Sequence, residues 1–193
     1  PDQQLNSCAE QPLGHGTVLR NHGFGGTTDR VDALRDAWSG LTSRCLVVPN
    51  FAIGAVLMMR FAELASPHFE SAEIVETHHH DKPDAPSGTA LHTAARMAAA
   101  REHGTHGRGT EIVAGSLGAD VEGIPVHSLR LHGSLAHHEV LFGTVGQYLT
   151  LRHDTTDYEC FAPGILISLA KSARWISEAQ LAWKACSGFD IGG

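Results

Sequence analysis

The chain has no C-x-x-C pair, no long apolar run, no excess of positive charge and no internal repeat. Each absence closes a class. The four cysteines, Cys8, Cys45, Cys160 and Cys186, lie far apart, so they read as isolated thiols of a reducing, cytoplasmic setting. No apolar stretch reaches the roughly 18 residues a spanning helix needs, so no membrane partner is expected. The opening PDQQLNSCAEQPLGHG carries neither the basic nor the apolar segment of a secretory signal. A formal net charge of −7 argues against a dedicated nucleic-acid surface. What is there is 193 residues, 42% apolar and 18% charged, enough for one domain with a buried core or one domain and part of another. The one unusual count is histidine, at 14.

Residues 1–28 are rich in glycine and polar residues, without clear periodicity. Asp29 to Trp38 has helical spacing, and CLVVPN reads as a short buried strand stopped by Pro49. In AIGAVLMMRFAELA the spacing of Ile53, Val56, Leu57, Arg60, Phe61 and Leu64 predicts an amphipathic helix with a broad apolar face, and Met58, Met59 and Phe61 are expected in the core. AEIVETH reads as a strand, and an Ala-rich helix follows from about Thr89 to Arg101. EHGTHGRGTE is a loop by its glycines. IPVHSLRLHG, AHHEVLFG and QYLTLRHD alternate and are parted by glycine turns, which predicts successive antiparallel strands. A last helix is expected from near Pro163. The pattern is that of an α+β domain with an open sheet.

The densest chemistry lies in ETHHHDKPDAPSGTAL, Glu76 to Leu91. In an extended segment His78 and His80 point one way and His79 the other, so three adjacent histidines cannot share one metal from a strand. No spaced second pair of ligands is present, and a metal site is therefore not expected. Pro86-Ser87-Gly88-Thr89 supports two readings. It is an N-cap with a solvated polar loop before it. Alternatively, the N–H groups and hydroxyls of Ser87, Gly88 and Thr89 form an anion site at the positive end of a helix, with histidine and Lys82 just upstream to supply protons and charge.

HHHDKPDAPSGTA closely resembles the H-H-x-x-K-x-D-A-P-S-G-T signature of the dihydrodipicolinate reductase (4-hydroxy-tetrahydrodipicolinate reductase) family, in its actinobacterial style. VVPNFAIGAVLMMRFA resembles the hinge strand and following helix of that family, and GADVEGIPVHSLRLHGSLAHHEVLFGTVGQYLTLRHD resembles its sheet. The resemblance implies that His78 is the proton donor and Lys82 its assistant. It implies that His79, Ser87, Gly88 and Thr89 hold a cyclic dicarboxylate substrate, and that Pro49, Asn50 and Phe51 face the nicotinamide of NADPH or NADH. It also implies a homotetramer built through the sheet. Residues 49–165 would then be the substrate-binding and tetramerisation domain, and 166–193 a C-terminal helix and tail. Residues 1–48 would be a remnant of the Rossmann-type nucleotide domain, since GHGTVLRNHGFGGTT lacks the third glycine of the fingerprint. Poor nucleotide affinity is expected from that departure. The alternative is a substrate-domain fragment that binds dicarboxylates and oligomerises without catalysis. Tyr158 stands where the family usually carries a substrate-holding arginine.

The other histidines of the predicted strands, His127, His132, His137, His138 and His153, are expected to face mostly solvent or a neighbouring chain. Asp84 is expected to cap backbone N–H groups of the loop. Trp38, Trp175 and Trp183 are expected in core or interface.

Overall fold

The structure, a computed structural model, describes residues 50–102 and 109–172, with side chains through Ser168. The expected Rossmann remnant, the helix around Asp29–Trp38, the CLVVPN strand and the tail beyond residue 172, with Trp175 and Trp183, lie outside the described residues. Helix α1 spans Ile53–Ala65 and is followed by a 3₁₀ turn, Ser66–His68. Strand β1 is Ser71–His79, helix α2 is Gly88–Ala99, and β2 is Ala119–Val121. Then come β3 (Ile124–Leu131), β4 (Ala136–Thr144) and β5 (Gln147–Thr155). A second 3₁₀ turn, Tyr158–Phe161, leads into α3, Ala162–Ser172.

The five strands form one mixed sheet in the order β2-β3-β1-β4-β5. This corrects the expectation of successive antiparallel strands. β4 and β5 do form a hairpin, but β3 and β4 are not neighbours, because β1 inserts between them, parallel to β3 and antiparallel to β4. The reason lies in β1 itself. Its Ala72, Ile74 and Glu76 are buried on one face, and its backbone groups find ladder partners on both edges only at the centre of the sheet. The short β2 went unread, since three residues carry no periodicity.

The core lies between one face of the sheet and helices α1 and α2. Ala72, Ile74, Val126, Val140 and Phe142 meet Met58, Met59, Ala62, Ala90, Ala94 and Met97 there. The buried stripe of α1 is therefore Ala55, Met58, Met59 and Ala62. Met58 and Met59 lie in the core as expected, but Phe61 is 41% exposed and Leu64 47% exposed. The helix is apolar around most of its circumference, so spacing alone does not select a face. Small Ala55 and Ala62 let it approach closely, and the flexible methionines fill the irregular gap that remains. Ser66 closes the layer, its hydroxyl donating to the carbonyl of Met97 near the end of α2 at 2.9 Å.

Two glycines fix where the chain enters this layer. A Cβ on Gly164 of α3 would lie 1.9 Å from the carbonyl oxygen of Phe51, and one on Gly54 would lie 2.5 Å from the ring of His153. The segment leading into α1 is thus pressed against β5 and α3 with no room for side chains.

Candidate functional site

On the inward face of β1 the apolar residues stop after Ile74, and Glu76 and His78 follow. The parallel register sets Ser128 and Arg130 of β3 beside Glu76 and His78, and the antiparallel register sets His138 of β4 beside Glu76. Glu76 is fully buried. Its carboxylate accepts from Arg130 twice, Nη1 to Oε2 at 3.1 Å and Nη2 to Oε1 at 2.9 Å. It also accepts from His78 Nδ1 on Oε2 and from the Ser87 backbone N–H on Oε1 at 3.2 Å. Burial alone would raise this carboxyl. The hydrogen bonds of His78, Arg130 and Ser128, with the charge of His78, overcome burial and hold it down at about 2.

Arg130 carries the network to the loop. Its Nη2 donates to the Asp84 carbonyl at 2.6 Å, while the Asp84 carboxylate pairs with Lys82. His78, Glu76, Arg130, Asp84 and Lys82 thus form one connected chain, with Ser87 joined to it. The expectation that Asp84 caps loop N–H groups is corrected: the described bonds of its side chain go to Lys82, because a lysine two residues back offers a full charge.

Ser87 is the N-cap of α2, its hydroxyl accepting from the Ala90 N–H at 3.3 Å. The preceding Ala85–Pro86 peptide is cis. Of the three expected cradle residues, Ser87 has its N–H committed to Glu76. The N–H groups of Gly88 and Thr89 are first-turn donors with no helical acceptor, at the positive end of the dipole. Asn50 Nδ2 donates to Thr89 Oγ1 at 3.1 Å, and Asn50 Oδ1 accepts from the Ala52 N–H at 2.8 Å. The segment ahead of α1 is therefore fastened to the first turn of α2. Pro49 lies outside the described residues. Phe51 is buried, with its carbonyl against Gly164.

His79 is exposed at the end of β1, and no hydrogen bond among the described residues joins it to this network. His80 stacks on His132 with ring centroids 4.3 Å apart. Tyr158 is exposed and leans on Phe161, apart from the network. The expectation for the strand histidines needs correction at two positions, since His153 turns inward against Gly54 of α1 and His138 lies beside it on the same face. His138 is buried, and burial pushes it down to about 4, helped by His78 and His153 and opposed by the Glu76 carboxylate. Its Nε2 meets no partner among the described residues. His127 and His137 pair with Glu73 and Asp154 on the other, outer face of the sheet. Sequence reasoning passed over Glu76 and Arg130 as site residues. The signal was present: Ala72, Ile74, Glu76 and His78 alternate on one face, so a carboxylate falls where the pattern demands an apolar residue. Among the described residues no group of three histidine, cysteine or acidic side chains could hold a metal ion, and no helix is long and apolar enough to cross a membrane.

A histidine seated on a buried carboxylate, beside a lysine and a helix N-terminus, is suited to binding an anion and moving a proton to it. It sits at one end of an α+β domain, a mixed sheet covered on one face by helices. Residues 54–183 match the family described as dihydrodipicolinate reductase, C-terminus, and the chain belongs to that family. It is 49% identical over 158 residues to 4-hydroxy-tetrahydrodipicolinate reductase of Mycolicibacterium vanbaalenii, covering 80% of this chain and 63% of that protein. It is 54% identical over 132 residues to the reductase of that name from Corynebacterium urealyticum, covering 66% and 53%. Among solved structures it is similar to dipicolinate-bound dihydrodipicolinate reductase from Paenisporosarcina sp. TG-14, with a TM-score of 0.66 and 41% identity, covering 83% of this chain and 61% of that one. The chain thus spans roughly three fifths of the length of the relatives it matches.

Proposed function

We propose that this chain is the substrate-binding part of a 4-hydroxy-tetrahydrodipicolinate reductase of the diaminopimelate and lysine route, working in the cytoplasm on a cyclic unsaturated dicarboxylate. The observation that carries the reading is the connected set His78–Glu76–Arg130–Asp84–Lys82 at the N-terminus of α2. One substrate carboxylate sits on the Gly88 and Thr89 N–H groups and the Thr89 hydroxyl, with Ser87 shaping the turn. Lys82 offsets the charge of the dianion, and His79 reaches the substrate from the strand end. NADPH or NADH, when bound, supplies hydride to one end of the conjugated imine. His78 delivers the proton that completes the reduction at the other end.

Asn50 and Phe51 are the described residues that would lie beside the nicotinamide. The Asn50–Thr89 bond supports this, since it ties the expected cofactor side to the expected substrate cradle, and the two ends of a hydride transfer have to meet. Residues 49–165 act as the substrate and oligomerisation domain, 1–48 as a remnant of the nucleotide domain, and 166–193 as the closing helix and tail. The outer face of the sheet, with Leu129 and Leu131 exposed and a shallow depression bordered by Val75, Thr77 and Arg152, supports association into a homotetramer through that face.

Calorimetry with pyridine-2,6-dicarboxylate and with NADPH, each titrated separately into the wild-type chain and into Lys82→Ala, tests the reading. Dicarboxylate binding that is weakened about tenfold or more in Lys82→Ala is the expected result. Absence of dicarboxylate binding to the wild type would refute the assignment. Dicarboxylate binding without NADPH binding would favour a domain that holds substrate but does not itself carry out the reduction.

A further inference from the structure

We propose that Glu76 is the positioning residue of this site: its buried carboxylate fixes neutral His78 as the Nδ1–H tautomer, so that Nε2 is the atom presented for proton transfer. The inference rests on the function proposed above and adds to it a residue that never touches substrate. Glu76 is fully buried, and both of its oxygens are filled. Oε1 takes Arg130 Nη2 and the Ser87 N–H, and Oε2 takes Arg130 Nη1 and His78 Nδ1. With the guanidinium bonded to both oxygens the carboxylate cannot swing away, and a carboxylate only accepts hydrogen bonds, so the proton between it and His78 belongs to Nδ1. When His78 is protonated, Nε2–H is the acid. Its proton passes to the substrate carbon, the electrons of the N–H bond stay on the nitrogen, and the Nδ1 proton remains on the Glu76 side. Water then restores the Nε2 proton.

The groups around the pair are consistent with this role. From β3 come Arg130 and the Ser128 hydroxyl, from β4 the buried His138, and from β5 His153. From the loop come Lys82 and Asp84, already paired with each other. The N-terminus of α2 contributes the Ser87 N–H and the positive end of its dipole. Apart from Glu76, none of these bonds to His78 Nδ1 among the described residues. The same carboxylate that holds His78 also holds the Ser87 N–H, so Glu76 sets the proton donor and the anion cradle relative to one another.

Glu76→Gln makes a specific prediction. The carboxamide oxygen takes the Oε1 position, because both donors there, Arg130 Nη2 and the Ser87 N–H, can only donate, whereas His78 at the Oε2 position can become an acceptor. Its NH₂ group then faces His78 Nδ1 and donates to it, which forces the neutral imidazole into the Nε2–H form. Long-range ¹⁵N–¹H correlation spectra of the full chain, with the imidazole neutral, read the tautomer directly. The wild type is expected to favour Nδ1–H by about ten to one or more, the scale of one charge-assisted hydrogen bond, and Glu76→Gln to invert the ratio. A wild-type spectrum showing Nε2–H overturns the proposal whether or not the variant folds. An unchanged tautomer in a folded Glu76→Gln chain overturns it too. Titration of the same wild-type sample with pyridine-2,6-dicarboxylate separates the two levels. Binding with the wrong tautomer removes Glu76 from its role and leaves the dicarboxylate site standing. The expected tautomer without binding removes the proton-transfer role together with the proposed function.

Discussion

Ala72 and Ile74 share one face of β1 with Glu76 and His78, yet the first pair lies in the core and the second builds the site. Backbone, strand and face are the same. What changes is the cover. Ala72 and Ile74 lie under the paired helices α1 and α2, whereas Glu76 and His78 lie at the point where α2 begins and offers N–H groups in place of methyl groups. A strand face therefore turns from core to site where the helix above it starts. A buried carboxylate is tolerable there because Arg130, His78 and Ser87 satisfy it.

The largest expected effects come from breaking each half in turn. Glu76→Ala leaves Arg130 with an uncompensated charge and should cost about 3–5 kcal/mol in urea unfolding. Ile74→Ala opens a cavity and should cost about 2–5 kcal/mol. The halves are separated by function: Ile74→Ala should keep dicarboxylate affinity wherever the chain is folded. Loss of binding there would show that core and site are one unit.

The pH dependence of stability divides the same strand neighbourhood. His138 is lowered from 6.5 to about 4, so between those values the unfolded chain binds more protons. Its contribution is complete above pH 6.5 and is lost as pH falls to about 4, a loss of about 3 kcal/mol. His92 and His153, lowered by burial, add in the same sense. Glu76 is lowered from 4.5 to about 2, and its contribution is lost only across that more acid window. It amounts to about 3 kcal/mol. Thermal melts of the wild type and His138→Gln from pH 7 to pH 3 check this. The variant should flatten the curve between pH 6.5 and pH 4 and leave the fall below pH 4.

Lys82→Ala sharpens the contrast from the loop. It should reduce pyridine-2,6-dicarboxylate affinity about tenfold or more, while the lost ion pair with Asp84 costs under about 1 kcal/mol of stability. The smallest effect is expected on the outer face. Arg152 is paired with Asp154 on the exposed outer face, and Arg152→Ala should leave dicarboxylate binding unchanged.

Most described elements are legible in the sequence because their periodicities are long. β1, β3, β4 and β5 alternate, and Ser87 caps α2 where the Pro-Ser-Gly-Thr turn predicts. Pairing order is not legible: alternation in IPVHSLRL and AHHEVLFG says that each is a strand, not that β1 lies between them. On α1 the burial of Met58 and Met59 is legible, but the exposure of Phe61 and Leu64 is not, because LMMRFAELA is apolar nearly all round and the small size of Ala55 and Ala62 decides the face. Of the site, His78, Lys82 and Ser87 prove to be joined, but only through Glu76, Arg130 and Asp84. Arg130 is 54 positions from Glu76, and local spacing carries no trace of such a bond.

The most direct test follows the backbone amides of the ¹⁵N-labelled chain by NMR while pyridine-2,6-dicarboxylate is added. The Gly88 and Thr89 amides are expected to shift most, with Ser87 and the Lys82 loop next, while outer-face residues such as Thr150 and Arg152 stay still. Shifts confined to the outer face, with Gly88 and Thr89 unmoved, would contradict this expectation.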